Sequence, residues 1–322
     1  MRGVPRILMV FVDGLGLGTS DAGINPLVRA RTPHLDRLLG GRRLVASAAA
    51  VRSDRAIMVP IDATLGVDGL PQSATGQTSL LTGVNAARLV GRHVQAYPTR
   101  ALQRLLEEHN LFRRLREAAR CVALANVYTD DYFQAVSARR LRHGAVTFSA
   151  MAAGVRLHTL EDLRAGRAVF HDLTNERLRE RGYDVPLIAP AEAGRRLAAI
   201  AAAHDFTFFE FFLTDLVAHG RVPLDPARVV ERLDCCLGAI VEAADLAATL
   251  ILLASDHGNI EDGRSGGHSR NPVPVLLVGC GRERAAAGLR DLTHVAPAIL
   301  HLQTGALHGD APAGADGCRG PR

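Results

Sequence analysis

Apolar residues along this chain fall into two patterns. Some form short unbroken runs: RILMVFV near 6–12, CVALANV near 121–127, FTFFEFF near 206–212, TLILLA near 249–254 and VPVLLVG near 273–279. Runs of this length without polar alternation predict strands buried on both faces, as in a parallel sheet. Between them apolar positions recur at helical spacing. TPHLDRLLG follows the first run, with Thr32 as N-cap and Pro33 at the first helical position. DPARVVERLDCCLGAIVEAAD repeats that cap-then-proline start with Asp225 and Pro226, and TRALQRLLEEHNLFRRLREAA precedes the second run. Strands alternating with helices predict an α/β fold, a three-layer sandwich around a mostly parallel sheet. The rhythm breaks between 130 and 190, where the chain is Arg-rich and its patterns are short. A structureless loop of that length is unusual, so the segment is expected to form a small inserted cap. The expected organisation is a discontinuous core (1–129 and 191–303), the cap (130–190) and a disordered Gly/Ala/Pro-rich tail (304–322).

Composition narrows the field. With 322 residues, 48% of them hydrophobic, the chain can bury a full core. The net charge is +5, and all 38 basic residues are arginine, with no lysine. Together with the many alanines this fits a base-composition bias, and no basic patch interleaved with aromatics suggests a nucleic-acid groove. A diffuse arginine excess still suits a small anionic substrate. Cys121, Cys235, Cys236, Cys280 and Cys318 are odd in number and lack CxxC spacing. They read as reduced thiols of a cytoplasmic protein. The apolar run after Arg2 and Arg6 is too short for a signal peptide and stops at Asp13, and no stretch is long enough to cross a bilayer.

Chemistry collects at the ends of the apolar runs, where sites form in parallel sheets. The first run ends in VDGLGLG, with Asp13; the third leads into LTDLVAHG, where Asp215 and His219 are one helical turn apart. TLILLA is followed by SDHGN, with Asp256 and His257, and GGHS places His268 before the last run. Each signal alone has a bland reading as a turn or cap. Together they supply six nitrogen and oxygen ligands, three for each of two divalent ions, with positions left open for substrate. In LPQSATGQTSLLTG, Ser73 precedes a stretch that reads as the first turns of a helix. A helix N-terminus favours a phosphate, and a neighbouring metal would make Ser73 a nucleophile. Without the metal ligands, Ser73 would read as an ordinary N-cap.

These residues resemble the alkaline phosphatase superfamily of two-metal phosphotransferases, and most nearly its branch of cofactor-independent phosphoglycerate mutase and phosphopentomutase. VDGLGLG…DAGINPLVRARTPHLDRLL, TDLVAHG and SDHGNIED…GGHSRNPVPVLLVG resemble that branch's metal-binding elements. The resemblance implies Asp215, His219 and His268 on one metal, and Asp13, Asp256 and His257, bridged by Ser73, on the other. It further implies zinc or manganese, and in-line attack of Ser73 on a small phosphorylated substrate to give a phosphoserine. Water as second acceptor would make a phosphatase; another hydroxyl would make a mutase. The absence of lysine, the short cap and Gln77 in place of a histidine set the chain apart from housekeeping phosphoglycerate mutases. Arg139, Arg140 and Arg142 in the cap are candidates for the non-reacting part of an anionic substrate, with a solvated basic surface as the other reading. From a different class, the alternative is a catalytically weak, metal-binding regulatory protein on the same fold.

Overall fold

The computed structural model describes residues 4–47 and 49–305. Seven strands form one sheet: β1 (Arg6–Val12), β2 (Val51–Arg52), β3 (Ala56–Ile61), β4 (Val122–Leu124), β5 (Phe206–Phe211), β6 (Thr249–Ala254) and β7 (Val273–Gly279). Their order is β2-β3-β7-β6-β1-β5-β4. The four strands β4, β5, β1 and β6 are parallel neighbours. Successive residues of β1 point to opposite layers. Leu8, Val10 and Val12 join the cluster under the helices Pro190–Ala202 and Pro226–Ala243, while Ile7, Met9 and Phe11 join the other. That second layer contains the helices Ser73–Thr82, Leu111–Glu117, Ala145–Ala152 and Val295–Thr304. The expected three-layer α/β sandwich is therefore present.

The sheet departs from the expectation at one edge. β7 runs antiparallel to β6, and β3 antiparallel to β7. No helix lies between β6 and β7 to carry the chain back across the sheet, so it returns in the opposite direction. This reversal has a functional consequence. In a parallel strand, a residue just before the strand would lie at the far edge; in antiparallel β7, His268 lies at the same edge as Asp13 and Asp256. The hydrophobic pattern gives little warning of β2 and β3, since Pro60 interrupts AIMVPI. Pro60 faces Pro274 across the β3–β7 pair. Neither proline has an N–H to exchange, so the two can face each other only at a non-hydrogen-bonded position of the ladder.

The expected caps hold in part. The Asp225 side chain accepts from the Ala227 N–H, whereas Thr32 precedes its helix without a side-chain cap bond and donates instead to Asp36 at 3.1 Å. Within 130–190, the helix Ala145–Ala152 packs on Ser73–Thr82 and on the helices Arg100–His109 and Leu111–Glu117. Val127, Leu163, Ala168, Phe170, Leu178 and Val185 form a separate small apolar cluster. Cys121, Cys235, Cys236 and Cys280 are free thiols. Cys318 and most of the expected disordered tail lie outside the described residues.

Candidate metal centre

Four chain segments deliver polar side chains to the carboxyl edge of the sheet. Asp13 directly follows β1, and its N–H donates to the Phe211 carbonyl at the end of β5. Gly14 then turns with φ 72°, and a Cβ there would lie 3.0 Å from Asp215 Oδ1, so the turn itself makes room for a second carboxylate. The short helix Leu213–Ala218 carries Asp215, and His219 is its C-cap, one turn on. Thr214 Oγ1 ties this helix to β1 by donating to the Asp13 carbonyl at 2.5 Å. Asp256 and His257 follow β6 and are fully buried, and His268 precedes β7. The helix Ser73–Thr82 points its start at them. Gln72 is its N-cap and Ser73 its first residue. At Gly76 the helix comes so close that a Cβ would sit 2.9 Å from the Asp256 carbonyl oxygen.

The six expected side chains form two groups, Asp215–His219–His268 and Asp13–Asp256–His257, whose candidate ligand atoms lie within 4.8 Å of one another in each group. In the first, His219 Nε2 is 3.1 Å from His268 Nε2, and both approach Asp215 Oδ1, at 3.3 and 3.6 Å. His268 Nδ1 is 2.7 Å from the Pro71 carbonyl and donates to it, so Nε2 is free to present its lone pair. In the second, His257 Nε2 is 3.2 Å from Asp13 Oδ1, 3.5 Å from Asp256 Oδ2 and 3.0 Å from Ser73 Oγ. The His257 and His268 rings stack at 3.7 Å, which joins the groups.

The electrostatics show what the groups lack. Asp13 Oδ1 is buried and accepts no well-aligned hydrogen bond, its contact with His257 Nε2 at 3.2 Å being one of charge. Burial, then the nearby Asp13 charge, pushes Asp256 up to about 8. Burial pulls His257 down, but Asp256 and Asp13 outweigh it and push it up to about 10. Burial likewise opposes ionisation of Asp215, yet the His268 hydrogen bond and the neighbouring His257 charge hold it down at about 2. Carboxylates converging in a dry site, an orphaned oxygen among them, and imidazole nitrogens facing each other form a donor set suited to divalent cations.

Several residues have supporting roles that the sequence did not reveal, although Gln77 stood out there for replacing a histidine. Gln77 Nε2 donates to Asp256 Oδ2 at 3.2 Å and lies 3.4 Å from Asp13 Oδ2, spanning the second group. Asn259 Nδ2 donates to Asp215 Oδ1 at 2.7 Å. Buried Glu261 ties the loops together, accepting from the Gly16 and Asn259 N–H groups, from Asn271 Nδ2 and from Ser269 Oγ. The only signal for Asn259 and Glu261 was their position in SDHGNIED, directly after the ligand pair. Glu210, on β5, is pushed up to about 8 by burial and then by the Asp13 and Asp256 charges.

The three cap arginines lie elsewhere, and none hydrogen-bonds or pairs with the six. Arg142 lies 4.9 Å from the centre of the Tyr97 ring, Arg140 lines a surface cavity with Asp131, Tyr132 and Arg181, and Arg139 is exposed.

Residues 189–304 match the Metalloenzyme superfamily, a span that includes Asp215, His219, Asp256, His257 and His268. A 2,3-bisphosphoglycerate-independent phosphoglycerate mutase of Rhodopseudomonas palustris is 39% identical over 131 residues, 37% of this chain and 25% of the relative. One of Pyrococcus abyssi is 32% identical over 87 residues, 27% of this chain and 21% of the relative. The matched region thus spans about a quarter of these relatives. Among solved structures, a Pyrococcus horikoshii protein superposes with a TM-score of 0.57 at 17% identity, covering 95% of this chain and 99% of that one. Thermus thermophilus alkaline phosphatase superposes with a TM-score of 0.55 at 14% identity, covering 94% and 91%. Residues 189–304 thus resemble the Metalloenzyme superfamily, within an α/β sandwich whose fold is that of alkaline phosphatase.

Proposed function

We propose that this protein is a two-metal enzyme that moves the phosphoryl group of a small phosphate ester onto Ser73 and then to water or to a second hydroxyl. The observation that carries the proposal is the pair of three-residue ligand groups joined through the stacked His257 and His268 rings, one of them meeting a serine at a helix start. In this reading Asp215, His219 and His268 hold one divalent ion; Asp13, Asp256 and His257, with Ser73, hold the other, and zinc or manganese suits these nitrogen and oxygen donors. When bound, such ions lower the pKa of a hydroxyl and neutralise charge on the transferring phosphoryl group. The chain's own residues do the rest. The helix orients Ser73 Oγ, and its N-terminal dipole favours the phosphate. Ser73 Oγ lies 3.0 Å from His257 Nε2, the atom that would face the same ion. Oγ gives up its proton and forms a bond to phosphorus as the ester oxygen leaves with the bonding pair and takes up a proton; the acceptor hydroxyl then loses its proton and bonds to phosphorus as Ser73 Oγ leaves with the bonding pair and is reprotonated. Gln77, Asn259 and the Pro71 carbonyl hold the ligands in place.

The mutase outcome has its own support in the phosphoglycerate mutase relatives. It differs from hydrolysis only in the second acceptor. We assign the enzyme to the cytoplasm and to a phosphorylated small molecule by the same reading. No helix among the described residues is long and apolar enough to cross a membrane.

The test is Ser73→Ala, read together with rapid acid quench and mass spectrometry of the peptide around Ser73. The expected result is turnover lowered by about 10³-fold or more with metal still bound, and a phosphorylated peptide in the wild type alone. An alanine variant close to wild-type activity would leave Ser73 as a helix-start residue beside a site that activates water.

A further inference from the structure

The fully buried carboxylates outside the metal groups all have donors, whereas the half-buried Glu210 does not. Asp162 is met by Arg156, Arg167 and the Thr159 N–H. Asp172 accepts from the Thr174, Asn175 and Arg177 N–H groups. Asp234 accepts from the His34 and Leu35 N–H groups, and Glu261 is saturated as described. Each has donors to offset its desolvation. Glu210 has none: its carboxylate lacks a hydrogen-bond or cationic partner among the described residues, although it lies in a row of core positions.

Its location gives that vacancy a meaning. Phe206 and Phe208 fill the layer that contains the helix Ser73–Thr82, and Glu210 is the next β5 residue on that face. It pairs in register with Phe11, and Asp13 lies one pleat further along β1. Glu210 is only half-buried. Its backbone is locked by Asn126, whose side chain donates to the Glu210 carbonyl and accepts from its N–H, both at 2.8 Å. Tyr128, two residues beyond Asn126, and Tyr132 have ring centres 5.1 Å apart, and the Glu210 charge acts on both hydroxyls. Their hydroxyls are already engaged, Tyr128 with Thr147 at 2.8 Å and Tyr132 with His143 at 2.7 Å. An acceptor with no internal donor thus sits beside the metal groups, against an aromatic wall.

We infer that Glu210 is a specificity-determining residue, and that the alcohol half of the substrate carries hydrogen-bond donors near the phosphate, hydroxyl or ammonium, and no second anion there. The inference rests on the phosphate-ester reading above. A carboxylate accepts from either kind of donor, and tyrosine rings cover carbon-bound hydrogens or a cation equally well. With cations offsetting the Asp13 and Asp256 charges that help to keep Glu210 protonated in the metal-free chain, a substrate carboxylate at that position would meet it as a like charge and leave it without a donor.

Binding tests this without turnover. Full-length Ser73→Ala protein loaded with Mn²⁺ is titrated calorimetrically with inorganic phosphate, glycerol 3-phosphate, phosphoethanolamine and 3-phosphoglycerate. The first ester differs from the last essentially by a hydroxymethyl in place of a carboxylate. We expect the tighter of glycerol 3-phosphate and phosphoethanolamine to bind about tenfold or more tightly than 3-phosphoglycerate; which one it is tells hydroxyl from ammonium. Adding Glu210→Leu is expected to abolish that ratio. Adding Glu210→Gln, which keeps an acceptor, is expected to abolish it for ammonium and reduce it for hydroxyl. Equal or tighter binding of 3-phosphoglycerate by the parent, or a ratio that survives Glu210→Leu, would overturn the inference while leaving the phosphate-ester reading intact. Failure to bind inorganic phosphate at all would overturn that reading, and the inference with it.

Discussion

Asp256 has no exposed surface, and its nearest charged neighbours are the Asp13 carboxylate and the His257 imidazole. Its carboxyl is pushed up to about 8, so without metal the folded chain holds a proton that the unfolded chain has released. Stability of metal-stripped protein should therefore fall as pH rises from the ordinary carboxylate range toward 8, and His257, pushed up to about 10, acts in the same direction. Asp256→Asn should flatten that slope and stabilise the metal-stripped chain at neutral pH by on the order of 1 kcal/mol, while costing about 10³-fold or more in turnover. Thermal melts across pH and an ester assay check both halves; a variant that melts lower and retains turnover would contradict them. The six candidate ligands could be picked out because each lies in a short motif beside an apolar run, and Ser73 because it opens a helix-like stretch. The roles of Gln77 and Glu210 could not be, because they arise from proximity across the sheet. Gln77 meets Asp256 from 179 positions away, and nothing local marks Glu210 within FTFFEFF.

At the scale of elements, five runs became strands close to their expected bounds, though β4 is only Val122–Leu124. What the pattern could not convey was direction. Apolar runs look alike in parallel and antiparallel strands buried on both faces, and only the missing crossover helix before β7 distinguishes them. The segment 130–190 was expected as a cap, and we propose that its part around Val127, Leu163 and Leu178 shapes substrate access. Its anchor is Asp162, which is fully buried and closes a capping box with Thr159. Burial opposes its charge, but the Thr159 N–H and Arg167 prevail and hold it at about 2. Asp162→Ala should cost about 2 kcal/mol at neutral pH, and the difference from wild type should shrink as pH falls toward 2. A denaturant titration at neutral and acid pH reads this, and an unchanged midpoint would count against the anchor. Arg139, Arg140 and Arg142 belong to the same segment. If they contact the outer, anionic part of the substrate, replacing all three by Gln should raise its KM by about tenfold with kcat held; an unaltered KM would return them to a solvated basic surface.

The molecule as a whole divides its labour between layers. The helices Pro190–Ala202 and Pro226–Ala243 and the apolar residues of the central strands supply stability, whereas the carboxyl edge of the sheet concentrates buried charge that the core cannot satisfy alone. On this account the edge is completed by cations, and everything proposed for Ser73 and Glu210 depends on that. The direct test is calorimetric titration of metal-stripped, full-length protein with Mn²⁺, followed by a phosphate-ester assay at each point. The account predicts saturation at two ions per chain, loss of one of them in His219→Ala, and turnover that appears only as the second site fills. Saturation at a single ion, or full turnover by protein that binds none, would contradict it.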